Sequence, residues 1–470
     1  MENNTNILLD AYRAWMRCGS FRRSRARNKR FAYGDQWSDT YTDRDGDTLT
    51  DEQRCSRSGA QPLTNNLLRQ LVRTVVGRYR SQVIDASVPA NKLVAQATEE
   101  LQLDELDSRA LEEFLISGCA IQRIEQIDHL GKLSLQVDNV NVNHFFIDSV
   151  LDPRGNDCHL LGQLHDLTLA ELLSRVAGGS RRKAAWVRRL YSQQLTQRIA
   201  GFASSIGADA MGGMDFWHAH GPRCRAIEVW TRESREVLVC HNRRTAQLSI
   251  VPLSQSHEVK RMRQDPDVAT RWDIDTRWQC RWFSPTGDLL AQNVAPHAHS
   301  RHPFVTKFYP LIDGEVHSFV EGAIDQQKHI NRLITMLNHM MESSAKGVLL
   351  FPETALPDGF TWQDVRRAWT NAGGILPYDP RESDARPQQV VTPMGNSGAY
   401  NMIGLQMRLL EQVSGVSGAL QGHSDVGGNS ATLYRAQAEN SAIALTDLFD
   451  TFTALRQQRD SLISAIKNNS

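Results

Sequence analysis

The sequence predicts an α+β fold, and three observations carry that prediction. Gly314 to Ser344 holds one clean helical period, with Val320, Ile324, Ile330, Leu333, Ile334, Leu337, Met340 and Met341 at three-and-four spacing. Arg225–Val251 and Thr270–Val294 instead alternate apolar and polar residues in runs such as AIEVWTR, EVLVCHN and WQCRWFS, the two-residue period of strands. Further helical stripes flank these regions, at Leu67, Leu68, Leu71, Val72, Val75 and Val76 and again at Leu445, Leu448, Phe449, Phe452, Leu455, Leu462, Ile463 and Ile466. With 470 residues the chain suits two to three subdomains.

Taken in order, residues 5 to 33 read as one helix ending in a cationic run, Arg17, Arg22, Arg23, Arg25, Arg27, Lys29 and Arg30. Such a run is a solvated face, or it meets phosphate or an acidic neighbouring subunit. An acidic loop follows, but Thr48 and Arg54 stand where a calcium loop needs glycine and glutamate. That excludes an EF-hand and leaves at most an unspecific cation there. Residues 62–83 read as a helix capped near Thr64 or Asn65, and 92–118 as a second helix leading into strands turned at Gly131. Residues 178–221, rich in Gly, Ser and Ala, with Arg181, Arg182, Lys183, Arg188 and Arg189, suggest a lengthy insertion. Ser284–Asp288 (SPTGD) reads as a hairpin turn. His297, His299 and His302 lie in a Pro-flanked stretch without carboxylate or thiol support, so a linker is expected rather than a metal site. After the central helix come a strand at 347–353, a short helix at 360–369, a flexible loop at 393–401, a helix at 402–413 and a second flexible stretch at 414–430.

The central helix is unusual for the polar face it keeps: Asp325, Lys328, Asn331, Arg332, Thr335, Asn338 and His339 run along a segment expected to span about 38 Å. So long a polar face needs water or a polar partner. Lysine plus arginine equals aspartate plus glutamate at 53 each, which argues against a DNA-coating protein but not against one that lets nucleic acid pass. Seven scattered cysteines without a CxxC pair argue for reduced thiols, and no metal or cofactor is expected. No secretory leader and no apolar run of membrane-spanning length is read, so a soluble chain with no membrane partner is expected. The sequence holds no GxxxxGK[ST], GxSxG or HExxH, and no enzyme activity is expected.

Several stretches resemble, in order, the portal (head-to-tail connector) proteins of short-tailed bacteriophages: YGDQW (33–37), QPLTNNLLRQLVRTVVGRYRSQ (61–82), IEVWTR (227–232), PFVTKFYPLIDGEVHSFVEGAIDQQKHINRL (303–333), SGVSGALQG (414–422) and NSATLYRAQAENSAIALTDLFD (429–450). The most specific is the DxQxxxN core formed by Asp325, Gln327 and Asn331, although Gln326 replaces a frequent proline. Asn429, Ser430 and Ala431 likewise lack the glycine of the common SGxA. The resemblance implies a ring, usually of twelve copies, at one capsid vertex, through which double-stranded DNA is packaged and ejected. It implies as partners the terminase large subunit, the major capsid protein and adaptor or tail proteins, with assembly in the host cytoplasm and a final place in the virion. By that mapping residues 1–220 form a wing, 221–312 a β-rich lead-in and clip, 313–344 the stem helix, 345–392 a wing return, 393–429 a tunnel loop and helix, and 430–470 a small helical crown.

Three groups of site residues follow from the mapping. Lys328, Arg332 and His339 form the polar face of the stem; Arg271, Trp272, Arg277 and Trp282 form a clip surface for terminase and adaptors; and Met394, Asn396, Ser397, Tyr400 and Asn401 form a loop touching passing DNA. The loop at 421–429, with Asp425, is a rival for the last role. Two other classes stay open on the residues alone: a nuclease or transferase with its site in the basic N-terminal half, and a packaging or scaffold protein without a channel.

Overall fold

The computed structural model describes residues 2–42, 46–84, 91–129, 132–149, 151–202, 215–219, 222–294, 301–309, 311–344, 348–353, 356–370, 377–379, 387–390, 397–418 and 443–468. Helices α1 (Glu2–Arg17), α2 (Gly19–Tyr33), α3 (Asp51–Arg57), α4 (Leu67–Tyr79), α5 (Lys92–Glu100), α6 (Leu103–Ser117), α7 (Leu169–Val176) and α8 (Arg181–Phe202) occupy the N-terminal half. They are followed by α9 (Ser256–Gln264), α10 (Ile324–Ser344), α11 (Trp362–Thr370), α12 (Ser397–Ser414) and α13 (Thr446–Asn468). The strands are β1 (Thr40–Thr42), β2 (Thr48–Thr50), β3 (Cys119–His129), β4 (Lys132–Asn139), β5 (Phe145–Ile147), β6 (Leu160–Leu167), β7 (Cys224–Asn242), β8 (Leu248–Pro252), β9 (Val268–Phe283), β10 (Leu289–Val294), β11 (Phe304–Phe308), β12 (Leu311–Ile312), β13 (Glu315–Val316), β14 (Val348–Leu350) and β15 (Gln388–Val390). The mixture is α+β, as the sequence predicts. The chain forms two compact units: residues 1–29, 72–321 and 442–470 in the first, 30–71 and 322–441 in the second.

The first unit is built on an antiparallel sheet in the order β10-β9-β7-β6-β5, with β8 added to the far end of β7. Cys224 to Trp230 of β7 are all buried, because both faces of the sheet are covered there. Ile227 and Val229 meet Leu8, Ala11 and Trp15 of α1 on one side, while Ala226 and Trp230 join the core of Val187, Tyr191, Trp278 and Trp282 on the other. Beyond Trp230 that cover ends and burial alternates, as a strand with one wet face requires. A second sheet, β11-β3-β4, is joined by α6 and α13. Gly118 ends α6 at positive φ (74°), where a Cβ would stand 1.9 Å from the carbonyl oxygen of His317, so only glycine fits.

Buried ion clusters fasten these layers. Arg123 on β3 donates to Glu228 on β7 and, at 2.6 Å, to Glu125; Glu228 also accepts from His165 on β6 at 2.7 Å and from the Trp230 indole at 2.8 Å. In the second cluster Asp107 of α6 accepts from Arg456 at 2.8 Å, from Gln122 at 3.2 Å and from Arg459, all within the first unit. The seam of α13 is thereby covered by its own chain, with Leu448, Phe449, Phe452, Leu455, Ile463 and Ile466 buried. The helix mapped from the sequence as a small crown is thus packed within the first unit.

Other elements also differ from the sequence reading. The first helix breaks at Cys18, the helix expected at 92–118 is two, and residues 181–202 of the expected insertion form α8. The central helix begins at Ile324 rather than near residue 314, because Asp313 and Gly314, both at positive φ, make the two-residue turn between β12 and β13. The turn at 284–288 joins β9 to β10 as expected, with the Ser284 amide donating to the Asp288 carbonyl at 2.9 Å.

Candidate functional site

In the second unit, α10 carries its polar residues in two rows, and both rows have partners. Gln327, Asn331 and Thr335, spaced by four, lie on one stripe and are buried. Opposite them runs the segment 63–68 that enters α4. The Gln327 carbonyl oxygen accepts from the amides of Leu67 (3.0 Å) and Leu68 (3.2 Å), and its Nε2 donates to the Asn65 carbonyl at 2.7 Å. Asn331 accepts from the Asn65 amide at 3.1 Å, and Thr335 from the Leu63 amide at 3.0 Å. The Asn66 side chain accepts from the Arg69 amide at 3.1 Å, so the first three amides of α4, which have no partner inside the helix, are all answered. The cap is therefore Asn66, one or two residues later than the sequence suggests.

The charged row is held in the same way. Lys328 lies 3.0 Å from both Asp39 and Asp51, Arg332 lies 2.7 Å from Asp51, and Arg30 lies 3.2 Å from Asp39. Of the two alternatives for this face, water or a polar partner, the structure supplies the partner: the row from Gln327 to Thr335 is dry, and Lys328 and Arg332 neutralise two aspartates of the N-terminal segment. Those aspartates belong to the acidic loop considered for a cation, and among the described residues no group of ligands for a metal occurs. His339 is half-buried beside Gly59 and makes none of these bonds. Of the apolar positions, Val320, Ile324, Ile330 and Leu337 are buried, while Leu333 is only partly so.

The second candidate region lies in the first unit, where β7 and β9 continue past the sheet core. They stay paired from Thr231↔Gln279 to Asn242↔Val268, a ribbon of about 35 Å. Near its far end α9 sets Val259 and Met262 over Leu238, Cys240 and Val251, a small separate core. Trp272 (53% exposed) stands opposite Leu238, and Ile274 (54%) opposite Glu236. Arg271 pairs with Asp273 at 2.7 Å, and Asp275 takes both Arg277 (2.7 Å) and Arg235 (3.1 Å). Trp282 does not belong to this surface. It is 6% exposed and stacks on His165, ring centroids 4.7 Å apart. The sequence reading missed His165 and Glu228, because isolated buried charges carry no periodic signal.

The third candidate region, the start of α12, is only partly a loop. Ser397, Tyr400 and Asn401 belong to the helix, with Tyr400 and Asn401 exposed, while Met394, Asn396 and the rival stretch 421–429 lie outside the described residues. His297 and His299 lie outside them too, and His302 sits half-buried, edge-on to Trp278.

The profile of the phage P22-like portal proteins matches residues 9–468, nearly the whole chain. The chain belongs to that family. No individual curated protein matches it. A portal is a structural rather than an enzymatic protein of the phage particle, and no described helix is long and apolar enough to cross a membrane. For a portal-family chain, the Gln327 and Asn331 of the DxQxxxN core have a physical role in this structure: they hold the entry to α4. Asp325, the third member, is exposed and takes no part in that clamp.

Proposed function

We propose that copies of this chain close into a ring at one capsid vertex, the channel through which double-stranded DNA is packaged and later ejected. The observation that carries the reading is in the second unit. There α10 and α12 pack on each other, α10 is fixed by its polar rows, and Met336, Met340, Met402, Leu405 and Met407 remain exposed. Apolar side chains on rigid helices favour burial against another protein surface, and a ring of identical chains supplies one at every interface.

In this reading α10 is the stem helix, the β7–β9 ribbon is the clip that meets the terminase large subunit and then adaptor or tail proteins, and Tyr400 and Asn401 face the lumen. Residues 1–220 and 345–392 supply the wing against the major capsid protein. Assembly takes place in the host cytoplasm, and the ring ends in the virion. Light scattering and negative-stain microscopy of the full chain test this directly: a particle of several hundred kilodaltons with a central hole is expected, usually of twelve copies. A monomer or dimer that persists with capsid and scaffold proteins added would sink it. Charge reversal at Arg271 is expected to lower DNA packaging in a reconstituted reaction while rings persist.

A further inference from the structure

Helix α8 presents a cationic face that the channel reading does not use. Arg181, Arg182, Lys183, Arg188 and Arg189 fall within nine residues that contain no acidic side chain. Val187 and Tyr191 turn into the core of the first unit, which fixes the rotation of the helix. Arg181, Arg182, Arg188 and Arg189 consequently stand exposed, with Trp186 (41% exposed) among them. None of the five cations pairs with an acid among the described residues. They also sit at the wrong end of the helix for stability. Ser180 accepts from the Lys183 amide at 3.4 Å, so three cations occupy the first turn, where the helix dipole disfavours positive charge. A local choice that works against the fold marks a surface selected for something else.

The spacing fits a polyanion. Arg182 and Arg189 share one line of the helix about 10 Å apart, with Arg181 and Arg188 on the adjoining line. Along one strand of B-form DNA that distance spans about three phosphates. Guanidinium groups take phosphate oxygens in pairs, and Trp186 adds a flat apolar contact. An acidic protein surface offers the same sign of charge but no fixed repeat of phosphates at this spacing, and the test separates the two. We propose that the α8 face binds the phosphate backbone of double-stranded DNA, without sequence preference, at a surface separate from any channel.

The test uses the full chain, a fluorescent 30-base-pair duplex of arbitrary sequence and a relaxed, covalently closed circular plasmid, with sodium chloride varied from 50 to 200 mM. Binding should weaken steeply with salt, and the circle, which cannot thread a ring, should compete as well per base pair as linear DNA. The variant Arg182→Gln/Arg188→Gln/Arg189→Gln should reduce the salt slope of log K by about 0.9 per charge removed, between two and three in all. The matching Arg→Lys variant should keep the slope. If the triple variant does not fold, Arg182→Gln and Arg189→Gln singly should each lower the slope by about one. An unchanged slope, or a circle that fails to compete, overturns the proposal. So does loss of polyglutamate binding with duplex binding intact, which assigns the face to an acidic protein. Light scattering on the same samples separates this outcome from the ring itself, since the face is expected to bind whether the chain is a ring or a monomer.

Discussion

The two units are held together by different means. The first covers both faces of its sheet from Cys224 to Trp230 and answers each charge of its buried clusters internally: Glu228 has Arg123 and His165, and Asp107 has Arg456 and Arg459. The second fixes its longest helix with amide side chains and partly exposed ion pairs, and leaves apolar side chains outside. More than half of the exposed large apolar side chains among the described residues lie in this unit, the smaller of the two. A body whose stability is internal needs no neighbour. One whose central helix is pinned on its polar side and bare on part of its apolar side leaves a surface that the proposed ring would cover.

The largest effect that would break this contrast is in the first unit. Glu228→Gln leaves the buried Arg123 with Glu125 as its acidic partner and removes the charge that His165 and Arg123 share, a loss of about 3 kcal/mol, read by calorimetry as a fall in Tm of roughly 5 °C. A fall below 2 °C would mean that the cluster is hydrated in solution. Acid sharpens the test. Burial alone would raise the Glu228 carboxyl, but Arg123 and the His165 hydrogen bond hold it well below the ordinary carboxylate range. Its contribution is therefore present above the unfolded carboxylate value and lost as pH falls through the folded one. His165 is pushed down mainly by burial, so unfolding takes up a proton below about pH 6.5 and acid destabilises there too. The stability gap between Glu228→Gln and the parent should then shrink below about pH 4.

A smaller and more local effect belongs to the second unit. Gln327→Leu keeps an apolar volume at the site but strands the amide of Leu68, at about 1–3 kcal/mol, while Leu67 keeps its 2.9 Å bond to the Asn65 carbonyl. Hydrogen exchange should speed up at the Leu68 amide and leave the β7–β9 pairing unchanged. Equal loss of protection in both places would mean that the two units do not unfold separately.

The stripes that this reasoning uses were legible in the sequence only where one local period decided the outcome. Leu68, Leu71, Val72 and Val75 are buried as their spacing predicts. Trp272 and Trp282 show where the period stops helping. Ten residues apart on β9, they share a strand face, yet one is exposed and the other buried, because the cover over that face reaches only part of the strand. The polar face of α10 stays open in the sequence between water and a partner for a related reason. A wet row and a row that clamps backbone amides are both polar at helical spacing, and only the distant Asn65 to Leu68 decides between them. One signal was present and unused: Asp313-Gly314 is a strong two-residue hairpin turn, and it sets where α10 cannot yet have begun. At 393–401 glycine and serine suggested a loop, but Ser397 to Asn401 already form the first turn of α12.

The smallest effect on the fold should be the largest on assembly. Met336 and Met340 lie one turn apart on α10, 48% and 40% exposed, so aspartate at both sites keeps its water in the isolated chain. The double variant Met336→Asp/Met340→Asp should therefore melt within about 1.5 kcal/mol of the parent when both are monomeric, the sum of two losses of helix propensity and one like-charge pair. In a ring interface the same carboxylates would be buried without partners, at several kcal/mol per subunit, and the assembled species should disappear from light scattering at any workable concentration. Rings in normal yield would show that this part of α10 faces solvent or lumen, and would leave α12 as the surface to probe. A monomer that melts well below the parent would show instead that the two methionines are covered within the chain, and the contrast between the units would lose its second half.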